Sequence, residues 1–555
     1  MPQGRRKAPF SGKKKKEQII AKRQVKAPNT LKSQGDSDGS EEVSASDNVQ
    51  KINALPYDKS RPDVNRFTLQ FHKESKKELA LMREEAAAKF ELKPKEDREI
   101  DDKYFEGYDF PKRPKWRHDM SKEELNRNEM HYFTEYVKAI EERHYKDNKP
   151  LSVFELNLET WRQLWRVVEL SDILLVIVDV RFASMLFPPA FYNFVTKEIN
   201  KKIILVLNKI DLVSAEIVAA WKEYFLNKYE GMAVVCFASY PIYKMKGTHK
   251  GKTLASVKFT SEGAHNIYKE IQKLVGNEIN ITQWEQKILE DMETMEEVQE
   301  HDNPEKCSVV NSYTETFEFN FEKRERYKDG ILSIGCVGFP NVGKSSIINA
   351  LKGRKVVSVS RTPGHTKHFQ TIHLTENVRL CDCPGLVFPS SVPKHAQVIL
   401  GSYPIAQLRE PYTSIKYIGE RINLTEELGI SLPEGFEEWS ANAVCEAWAF
   451  KKGFFTAKAS RPDLYRAANN ILRLTLGGKI KIEFYPVQYF LNEDKWKTHS
   501  DLETIKTIQF GKGKTRPLDE ATNISGYETE SEDKYSNEEN YRVCELDELQ
   551  NNQHS

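Results

Sequence analysis

Short, continuous apolar runs separated by amphipathic segments make up the middle of the chain. The runs do not alternate with polar residues, which is typical of parallel strands that are covered on both faces. They lie at residues 172–179, 203–207, 234–237 and 331–337, and two more strands are predicted at 368–374 and 378–381. Apolar side chains between residues 161 and 168 recur at the spacing of one helix face. Alternating strands and helices predict an α/β domain with a doubly wound, mostly parallel sheet over residues 151–389.

The segment that precedes this domain has helical composition instead. Residues 61–150 are expected to form a helical N-terminal extension, with helices near 66–92 and 122–144. Within the α/β domain, residues 242–330 are expected to be an insertion or a linker.

Both ends of the chain carry blocks of like charge. The net charge of the 555 residues is only +1, but residues 1–32 contain eleven Lys and Arg against one acid. Residues 33–48 contain five acids and no base, and from residue 528 to the end there are nine acids and two bases. Such blocks stay solvated because they have little apolar surface to bury. Residues 1–60 and 501–555 are therefore expected to be disordered.

The sequence also indicates an intracellular protein that does not enter a membrane. No apolar run approaches the ~18–20 residues that span a bilayer. The first residues lack the apolar segment of a secretory signal. The seven cysteines are scattered and odd in number, which is typical of reduced thiols.

Residues 338–345 read Gly-Phe-Pro-Asn-Val-Gly-Lys-Ser, which has the spacing of a phosphate-binding loop. Its glycines let backbone N–H groups wrap the phosphates, while the lysine reaches the β- and γ-phosphates and the serine hydroxyl binds Mg²⁺. A glycine turn without a ligand is the alternative, but the preceding strand and the following helix favour a nucleotide site. The expected nucleotide contacts in this loop are Gly338, Asn341, Val342, Gly343, Lys344, Ser345 and Ser346.

A second motif, Asp382-Cys-Pro-Gly385, follows the last predicted strand. Its aspartate is expected to hold Mg²⁺, and the N–H of Gly385 is expected to meet the γ-phosphate. Any D-x-x-G sequence can also be a simple turn. Its position 38 residues after Lys344 favours the nucleotide interpretation.

The tetrad Asn208-Lys209-Ile-Asp211 ends another predicted strand and indicates guanine recognition. A carboxylate at Asp211 can accept hydrogen bonds from guanine N1–H and the 2-amino group, which adenine cannot offer together. The aliphatic part of Lys209 can pack on the base. The alternative is a helix cap after a strand. Ser239 is a candidate for a further loop that contacts the base, although Ala-Ser-Tyr is not the commoner Ser-Ala pair.

Residues 360–370 lie where a threonine should close over the γ-phosphate and Mg²⁺. Thr366 is the candidate and Thr362 the fallback, with a structural turn as the other interpretation. The residue after the D-x-x-G motif is Leu386, where many GTPases place a glutamine that orients water. Intrinsic hydrolysis should therefore be slow. The expected catalytic residues are Lys344, Thr366, Gly385 and Asn341, and the expected Mg²⁺ ligands are Ser345, Thr366 and Asp382.

Asn341 has two possible roles inside the phosphate loop. Its side chain is a candidate ligand for K⁺ near the phosphates, which would compensate for the missing glutamine. A loop-stabilising side chain is the rival interpretation.

The order of these motifs is inverted, because the guanine tetrad begins 130 residues before the phosphate loop. This order predicts a circularly permuted P-loop G domain. The motifs, together with residues 157–172, 403–412, 456–461 and 465–473, resemble the circularly permuted GTPases of ribosome assembly. The resemblance implies action on the large ribosomal subunit, in the nucleus, nucleolus or cytoplasm. It also implies a helical C-terminal domain over residues 390–500, directly after the second switch. Because of that position, we hypothesise that bound nucleotide sets the angle of the C-terminal domain.

Basic residues indicate how such a protein would reach an RNA partner. The run Lys13–Lys16 suits contact with a phosphate backbone or nuclear import, and a solubilising arm is the alternative. The C-terminal domain offers further bases, which are either RNA contacts or a solvated face: Lys451, Lys452, Lys458, Arg461, Arg466 and Arg473. The expected partners are a guanine nucleotide and large-subunit pre-ribosomal particles with their ribosomal RNA. The protein itself is expected to be a monomer.

Two classes of function remain open on the sequence alone. The first is an enzyme that hydrolyses GTP and switches between states during assembly of the large subunit. The second is a GTP-binding scaffold or signalling module with negligible turnover. Leu386 supports this alternative, because it stands where many GTPases have a glutamine that orients water.

Overall fold

The structure is a computed structural model. It describes residues 49–51, 69–117, 119–147, 150–239, 249–293, 326–353, 356–357, 359, 369–456 and 460–510. All of them belong to the compact unit Val49–Ser555. The basic arm at residues 1–48, both threonine candidates (Thr362 and Thr366), Lys458 and residues 511–555 lie outside the described residues.

In its described residues, the N-terminal extension contains two α-helices and short strands. In chain order they are β1 (Val49–Lys51), β2 (Gln70–His72), α1 (Lys76–Ala87), β3 (Glu99–Ile100) and α2 (Lys122–Asp147). The helix predicted at 66–92 is shorter than expected. It begins after Ser75, whose hydroxyl accepts from the N–H of Glu78 while the Glu78 carboxylate accepts from the N–H of Ser75. This capping box fixes the start of the helix.

The α/β domain has the predicted doubly wound architecture. Its elements are α3 (Leu158–Leu170), β4 (Ile173–Asp179), α4 (Pro189–Asn193), β5 (Lys202–Asn208), α5 (Ala215–Lys228), β6 (Ala233–Cys236), α6 (His249–Val275), α7 (Thr282–Glu293), β7 (Leu332–Val337), α8 (Lys344–Lys352), β8 (Gln370–Thr375) and β9 (Val378–Asp382). The sheet order is β6-β5-β4-β7-β9-β8. Every neighbouring pair is parallel except β8 and β9.

This strand order confirms the circular permutation. The chain enters the sheet at β4, moves outward to β6 and returns beside β4 as β7. The direction of winding therefore reverses between β4 and β7. In open α/β sheets ligands bind at such a switch point, outside the carboxyl ends of the strands. The tetrad follows β5, the phosphate loop follows β7 and the D-x-x-G motif begins at the end of β9.

Part of the predicted insertion is packed structure. Helices α6 and α7 contact each other and bury Tyr268, Ile271 and Trp284 almost completely. Tyr268 and Trp284 meet edge to face, with ring centroids 5.5 Å apart.

The C-terminal region is mainly helical, as expected. It comprises α9 (Lys394–Leu400), α10 (Tyr412–Gly419), α11 (Leu424–Leu428), α12 (Ala441–Lys452), α13 (Leu464–Leu476), β10 (Tyr485–Pro486), α14 (Glu493–Lys497) and α15 (Leu502–Phe510). The prediction of disorder from residue 501 is wrong for α15. Leu502, Ile505 and Ile508 are buried, and full burial of each such side chain is worth about 1.5–3 kcal/mol.

Among the described residues, no helix has both the length and the apolar character needed to cross a membrane. The described cysteines, Cys236, Cys336, Cys381, Cys383 and Cys445, are buried and form no disulfide with one another.

Candidate guanine-nucleotide site

The phosphate loop is shaped by glycines that allow close approach to β4 and β5. A Cβ atom at Gly338 would lie 2.4 Å from the carbonyl oxygen of Ile177. Gly343 adopts φ 101°, and a Cβ there would lie 2.2 Å from Nδ2 of Asn208. Side chains are excluded at both positions, so the loop can pass close to its neighbours. Gly343 then caps the first turn of α8, whose positive end suits an anion.

Lys344 is held at the centre of this loop. Its Nζ donates to the carbonyl oxygens of Gly338 (3.0 Å) and Phe339 (2.7 Å). Burial lowers the pKa of Lys344, and the nearby Asp382 opposes that change. A buried ammonium group next to the loop backbone is placed to bind phosphate oxygens.

Asp382 and Ser345 provide the oxygen atoms that Mg²⁺ requires. Asp382 is fully buried, and its Oδ2 lies 3.5 Å from the Ser345 hydroxyl. Its Oδ1 has no hydrogen-bond partner, and burial raises the pKa of this carboxyl to about 7. A buried carboxylate oxygen without a partner beside a hydroxyl fits a hard cation. The described residues contain no cluster of three His, Cys, Asp or Glu that could hold a metal.

The tetrad is tied directly to the phosphate loop. Nδ2 of Asn208 donates to the carbonyl oxygen of Val342 (2.7 Å), and its Oδ1 accepts from the Ser239 hydroxyl (2.9 Å). Asn208 and Ser239 are both buried. The tetrad, the phosphate loop and the loop after β6 thus form one connected unit.

Asp211 and Lys209 carry the chemistry for reading a base. Partial burial raises the pKa of Asp211 to about 7, although the charge of Lys209 opposes the rise. Lys209 adopts the left-handed backbone conformation, with φ 61°, which costs energy for a residue with a side chain. Its Nζ lies 2.8 Å from Oδ2 of Asp179. We call Asn208, Lys209, Asp211 and Ser239 the base end of the site.

Asp179 and Arg181 extend this charge network, and the sequence reasoning missed both. Asp179 is fully buried at the end of β4, and Arg181 is 2% exposed. Nε and one Nη of Arg181 donate to the two oxygens of Asp179 at 3.0 and 2.8 Å. Burial alone would raise the pKa of Asp179, but the charges of Arg181 and Lys209 outweigh it and hold this pKa below its usual value.

Residues next to the base end contact a distant part of the chain, residues 475–510, which we call the C-terminal segment. Arg181 donates to the carbonyl oxygens of Thr475 (3.0 Å) and Leu476 (3.5 Å) at the end of α13. Nε2 of Gln509 donates to the carbonyl oxygens of Ile210 (2.7 Å) and Val213 (3.0 Å). Ile210 is the third residue of the tetrad, so the C-terminal segment touches the tetrad itself.

The phosphate end of the site comprises residues 338–346, Asp382 and Gly385. A Cβ atom at Gly385 would lie 2.8 Å from Cα of Pro340, so the two loops are in contact. Leu386 is fully buried, and its N–H donates to the Gly338 carbonyl oxygen (3.4 Å). An aliphatic side chain at this position cannot orient an attacking water molecule.

The chain that follows Leu386 is braced by residues 152–161, at the start of the α/β domain. The N–H of Glu155 donates to the carbonyl oxygen of Val387 (3.1 Å), and the N–H of Ser152 donates to that of Ser390 (2.7 Å). The ring of Phe388 meets Trp161 edge to face, with centroids 5.4 Å apart. This segment joins the D-x-x-G motif to the C-terminal domain and is packed along its length.

Asn341 connects the phosphate loop to that domain. It adopts φ 59°, and its Nδ2 donates to the carbonyl oxygen of Gly401 (2.8 Å), just after α9. This contact is the kind expected of a stabilising side chain. The amide oxygen is the atom that would bind K⁺.

The structure brings most of the predicted site residues together at one edge of the sheet. Thr366 and Thr362 are not among the described residues. The site residues that the sequence did not predict differ in how much local sequence signal they have. Asp179 ends a predicted strand beside the tetrad strand, which was a usable signal, whereas nothing in the sequence around Gln509 indicates a contact with Ile210.

The order of the strands defines the class of protein. Since the tetrad strand precedes the phosphate-loop strand but both lie at the same switch point, the domain is a circularly permuted P-loop GTPase domain. The family described as 50S ribosome-binding GTPase matches residues 333–410. That match covers β7, the phosphate loop and the D-x-x-G motif.

Curated relatives identify the family. Guanine nucleotide-binding protein-like 1 from Mus musculus is 40% identical over 552 residues, covering 91% of this chain and 89% of the relative. Its Homo sapiens counterpart is 39% identical over the same shares. The chain belongs to the guanine nucleotide-binding protein-like 1 family.

A more distant relative and a solved structure were also found. Large subunit GTPase 1 homolog from Bos taurus is 33% identical over 429 residues, covering 67% of this chain and 65% of the relative. GNP-bound YlqF from T. maritima covers 59% of this chain and 96% of its own, at 18% identity and a TM-score of 0.31. A similarity that low supports no inference about function.

Proposed function

We propose that this protein hydrolyses GTP to GDP and phosphate and acts as a nucleotide switch in assembly of the large ribosomal subunit. The observation that carries the catalytic part is the buried carboxyl of Asp382. One of its oxygens lacks a hydrogen-bond partner and the other lies 3.5 Å from the Ser345 hydroxyl, beside the phosphate loop. The ribosomal part is supported by the matched family description and by the name of the cattle relative.

Each residue of the site has a role in this proposal. Asp211 reads guanine, Lys344 binds the β- and γ-phosphates, and the N–H of Gly385 meets the γ-phosphate. Ser345 and Asp382 hold Mg²⁺, and Thr366 closes over it. Mg²⁺ would neutralise charge on the phosphates. Leu386 leaves no polar side chain to orient water, so intrinsic turnover is slow, and K⁺ bound at Asn341 supplies part of the missing charge stabilisation.

The switch acts through the segment after β9. A γ-phosphate that holds Asp382 and Gly385 would change how residues 386–392 pack against residues 152–161. Because this segment leads directly into α9, its position sets the orientation of the C-terminal domain. Structures with the same domain orientation in the GTP- and GDP-bound states would overturn this mechanism.

Ribosomal RNA is the proposed macromolecular partner of a monomeric protein. Arg461, Arg466 and Arg473 are exposed on the C-terminal domain, and Arg466 lies over the ring of Phe454 at 4.6 Å. Binding through such bases should weaken steeply with salt. Crosslinking to RNA in cells, followed by mapping of the sites, tests this contact and the nuclear, nucleolar or cytoplasmic place of action.

A GTP-binding scaffold with negligible turnover is the second candidate, and the buried Leu386 is the observation that favours it. Multiple-turnover hydrolysis, measured with and without large subunits and K⁺, separates the two. Stimulation by subunits supports the enzyme. Nucleotide binding without turnover under every condition supports the scaffold. Absence from all pre-ribosomal particles in a sucrose gradient would favour signalling instead.

A further inference from the structure

We propose that Arg181 and Gln509 are positioning residues for guanine recognition, so that the C-terminal segment completes the base end of the site. The proposal rests on the guanine-reading role of Asp211 given above. It adds that discrimination between bases depends on residues nearly 300 positions further along the chain, at Thr475, Leu476 and Gln509.

The first argument is the charge balance around Asp179. This carboxylate is fully buried, and two cations neutralise it, Arg181 at 2.8 Å and Lys209 at 2.8 Å. A buried charge with too few partners is costly. Without Arg181, the Lys209 ammonium would have to neutralise Asp179 alone. A shift of Lys209 toward Asp179 would also move the strained backbone between Asn208 and Asp211.

The second argument is the geometry of Arg181. Its planar guanidinium presents donors in fixed directions. Nε and Nη2 donate to Asp179, Nη1 donates to Thr475, and Nη2 also donates to Leu476. The last carbonyl groups of a helix have no partners within it, and a cation there is favourable. Arg181 therefore satisfies the end of α13 and the tetrad network simultaneously.

The third argument is that a second, independent contact reaches the same loop. Gln509 is 1% exposed, and its amide donates to the carbonyl oxygens of Ile210 and Val213, on either side of Asp211. In addition, Gly478 lies against Leu212, since a Cβ there would approach Cδ2 of Leu212 to 2.6 Å. The loop that carries Asp211 is thus held from behind by the C-terminal segment at several points.

The test compares nucleotides that differ only at the base. Guanosine diphosphate carries the 2-amino group that Asp211 reads, and inosine diphosphate lacks it. A variant that merely loosens the protein weakens both equally, whereas a misplaced Asp211 reduces the ratio of their affinities. The full-length protein is titrated with both nucleotides by isothermal calorimetry.

Arg181→Met should reduce this ratio by about ten-fold, and Gln509→Leu should reduce it by about three-fold. The affinity ratio of Arg181→Lys should fall between those of Arg181→Met and the wild type. A lysine can neutralise Asp179, but it cannot also donate to the carbonyl groups at the end of α13. Gln509→Leu removes no charge, so it keeps the test valid if Arg181→Met fails to fold.

Lys222→Met is the matched control. Lys222 on α5 binds Asp501 at 2.7 Å, which also ties the α/β domain to the C-terminal segment but does not touch the tetrad. In Lys222→Met, the ratio of the affinities for guanosine diphosphate and inosine diphosphate should equal that of the wild type.

Two failures can be told apart. Unchanged ratios in Arg181→Met and Gln509→Leu, with a wild type that prefers guanosine diphosphate, overturn this inference alone. A wild type without preference for guanosine diphosphate overturns base reading by Asp211, and the inference with it.

Discussion

The base end and the phosphate end of the site are held by different parts of the chain and by different chemistry. At the base end, a buried network of charges and amide contacts joins the tetrad to residues 475–510. At the phosphate end, backbone hydrogen bonds from Ser152 and Glu155, at the start of the α/β domain, brace the segment after the D-x-x-G motif. The contrast suggests that the base end is built to stay fixed. The backbone contacts at the phosphate end can be exchanged at lower cost, because they involve no buried charge.

The largest expected effect is a loss of nucleotide affinity after a change at the phosphate end, and it should leave the preference for the base unchanged. Lys344→Met removes the ammonium group that binds the phosphates, and we expect GTP and GDP to bind at least about 100-fold more weakly, from a loss of roughly 3 kcal/mol. Because this change lies at the phosphate end, affinities for guanosine and inosine diphosphates should fall equally. Calorimetric titration with both nucleotides measures this.

Lys352→Met, at the other end of α8, is the control and should bind both nucleotides as the wild type does. If Lys344→Met binds within about ten-fold of the wild type, the phosphate end is not organised around this lysine.

A change at the base end should alter which base is bound. Asp211→Asn replaces an acceptor by an amide, which can donate to the C2 carbonyl of xanthine but cannot accept both guanine N–H groups. We expect affinity for guanosine diphosphate to fall about 100-fold and affinity for xanthosine diphosphate to rise. Competition binding with both nucleotides checks this. Asp329→Asn, at an exposed position, should leave the preference intact, and a variant that still prefers guanine would show that Asp211 does not read the base.

Affinity for guanine should also depend on pH through Asp211. Burial raises the pKa of this carboxyl to about 7, whereas guanine N–H groups favour its charged form. Affinity should therefore rise with pH up to about 7, by at most about ten-fold per pH unit, and level off above it. The same group stabilises the nucleotide-free protein at low pH, and that contribution is lost as pH rises through about 7.

Titrations at several pH values measure this dependence. In Asp211→Asn the nucleotide phosphates still titrate, but the carboxyl of residue 211 is gone. The dependence of affinity on pH should therefore be shallower in this variant than in the wild type. Equal slopes in both proteins would contradict a raised pKa at Asp211.

The sequence predicted the sheet well because its signals are local. The strands β4, β5 and β6 appear as unbroken apolar runs, and each motif begins within one residue of the end of a strand. The parallel sheet then places the carboxyl ends together without further information. The bounds of the central strand β4, predicted at 172–179 and found at Ile173–Asp179, differ by one residue.

The contacts that hold the base end could not be predicted in the same way. Arg181 and Thr475 are 294 residues apart, and Gln509 and Ile210 are 299 apart, so their meeting depends on how the C-terminal region docks. Helix α15 was missed for a different reason. Leu502, Ile505 and Ile508 have helical spacing, but the acidic composition of the following tail extended the prediction of disorder too far toward them.

The smallest expected effect concerns the contact between the phosphate end and the C-terminal domain. Asn341→Gly keeps the positive φ of 59° but removes the amide that donates to Gly401. We expect a loss of about 1 kcal/mol in the free energy of unfolding, measured by urea denaturation. Asn200→Gly is the matched control, because Asn200 is exposed and also has a positive φ, 52°.

The same variant tests whether Asn341 also binds K⁺. If its amide oxygen is a ligand, wild-type hydrolysis of GTP should be faster in potassium than in sodium buffer, and Asn341→Gly should lose the difference while Asn200→Gly keeps it. Equal wild-type rates in both salts would leave Asn341 with the stabilising contact to Gly401 alone. In that case the phosphate end, like the base end, would be tied to the C-terminal domain by a side chain that takes no part in hydrolysis.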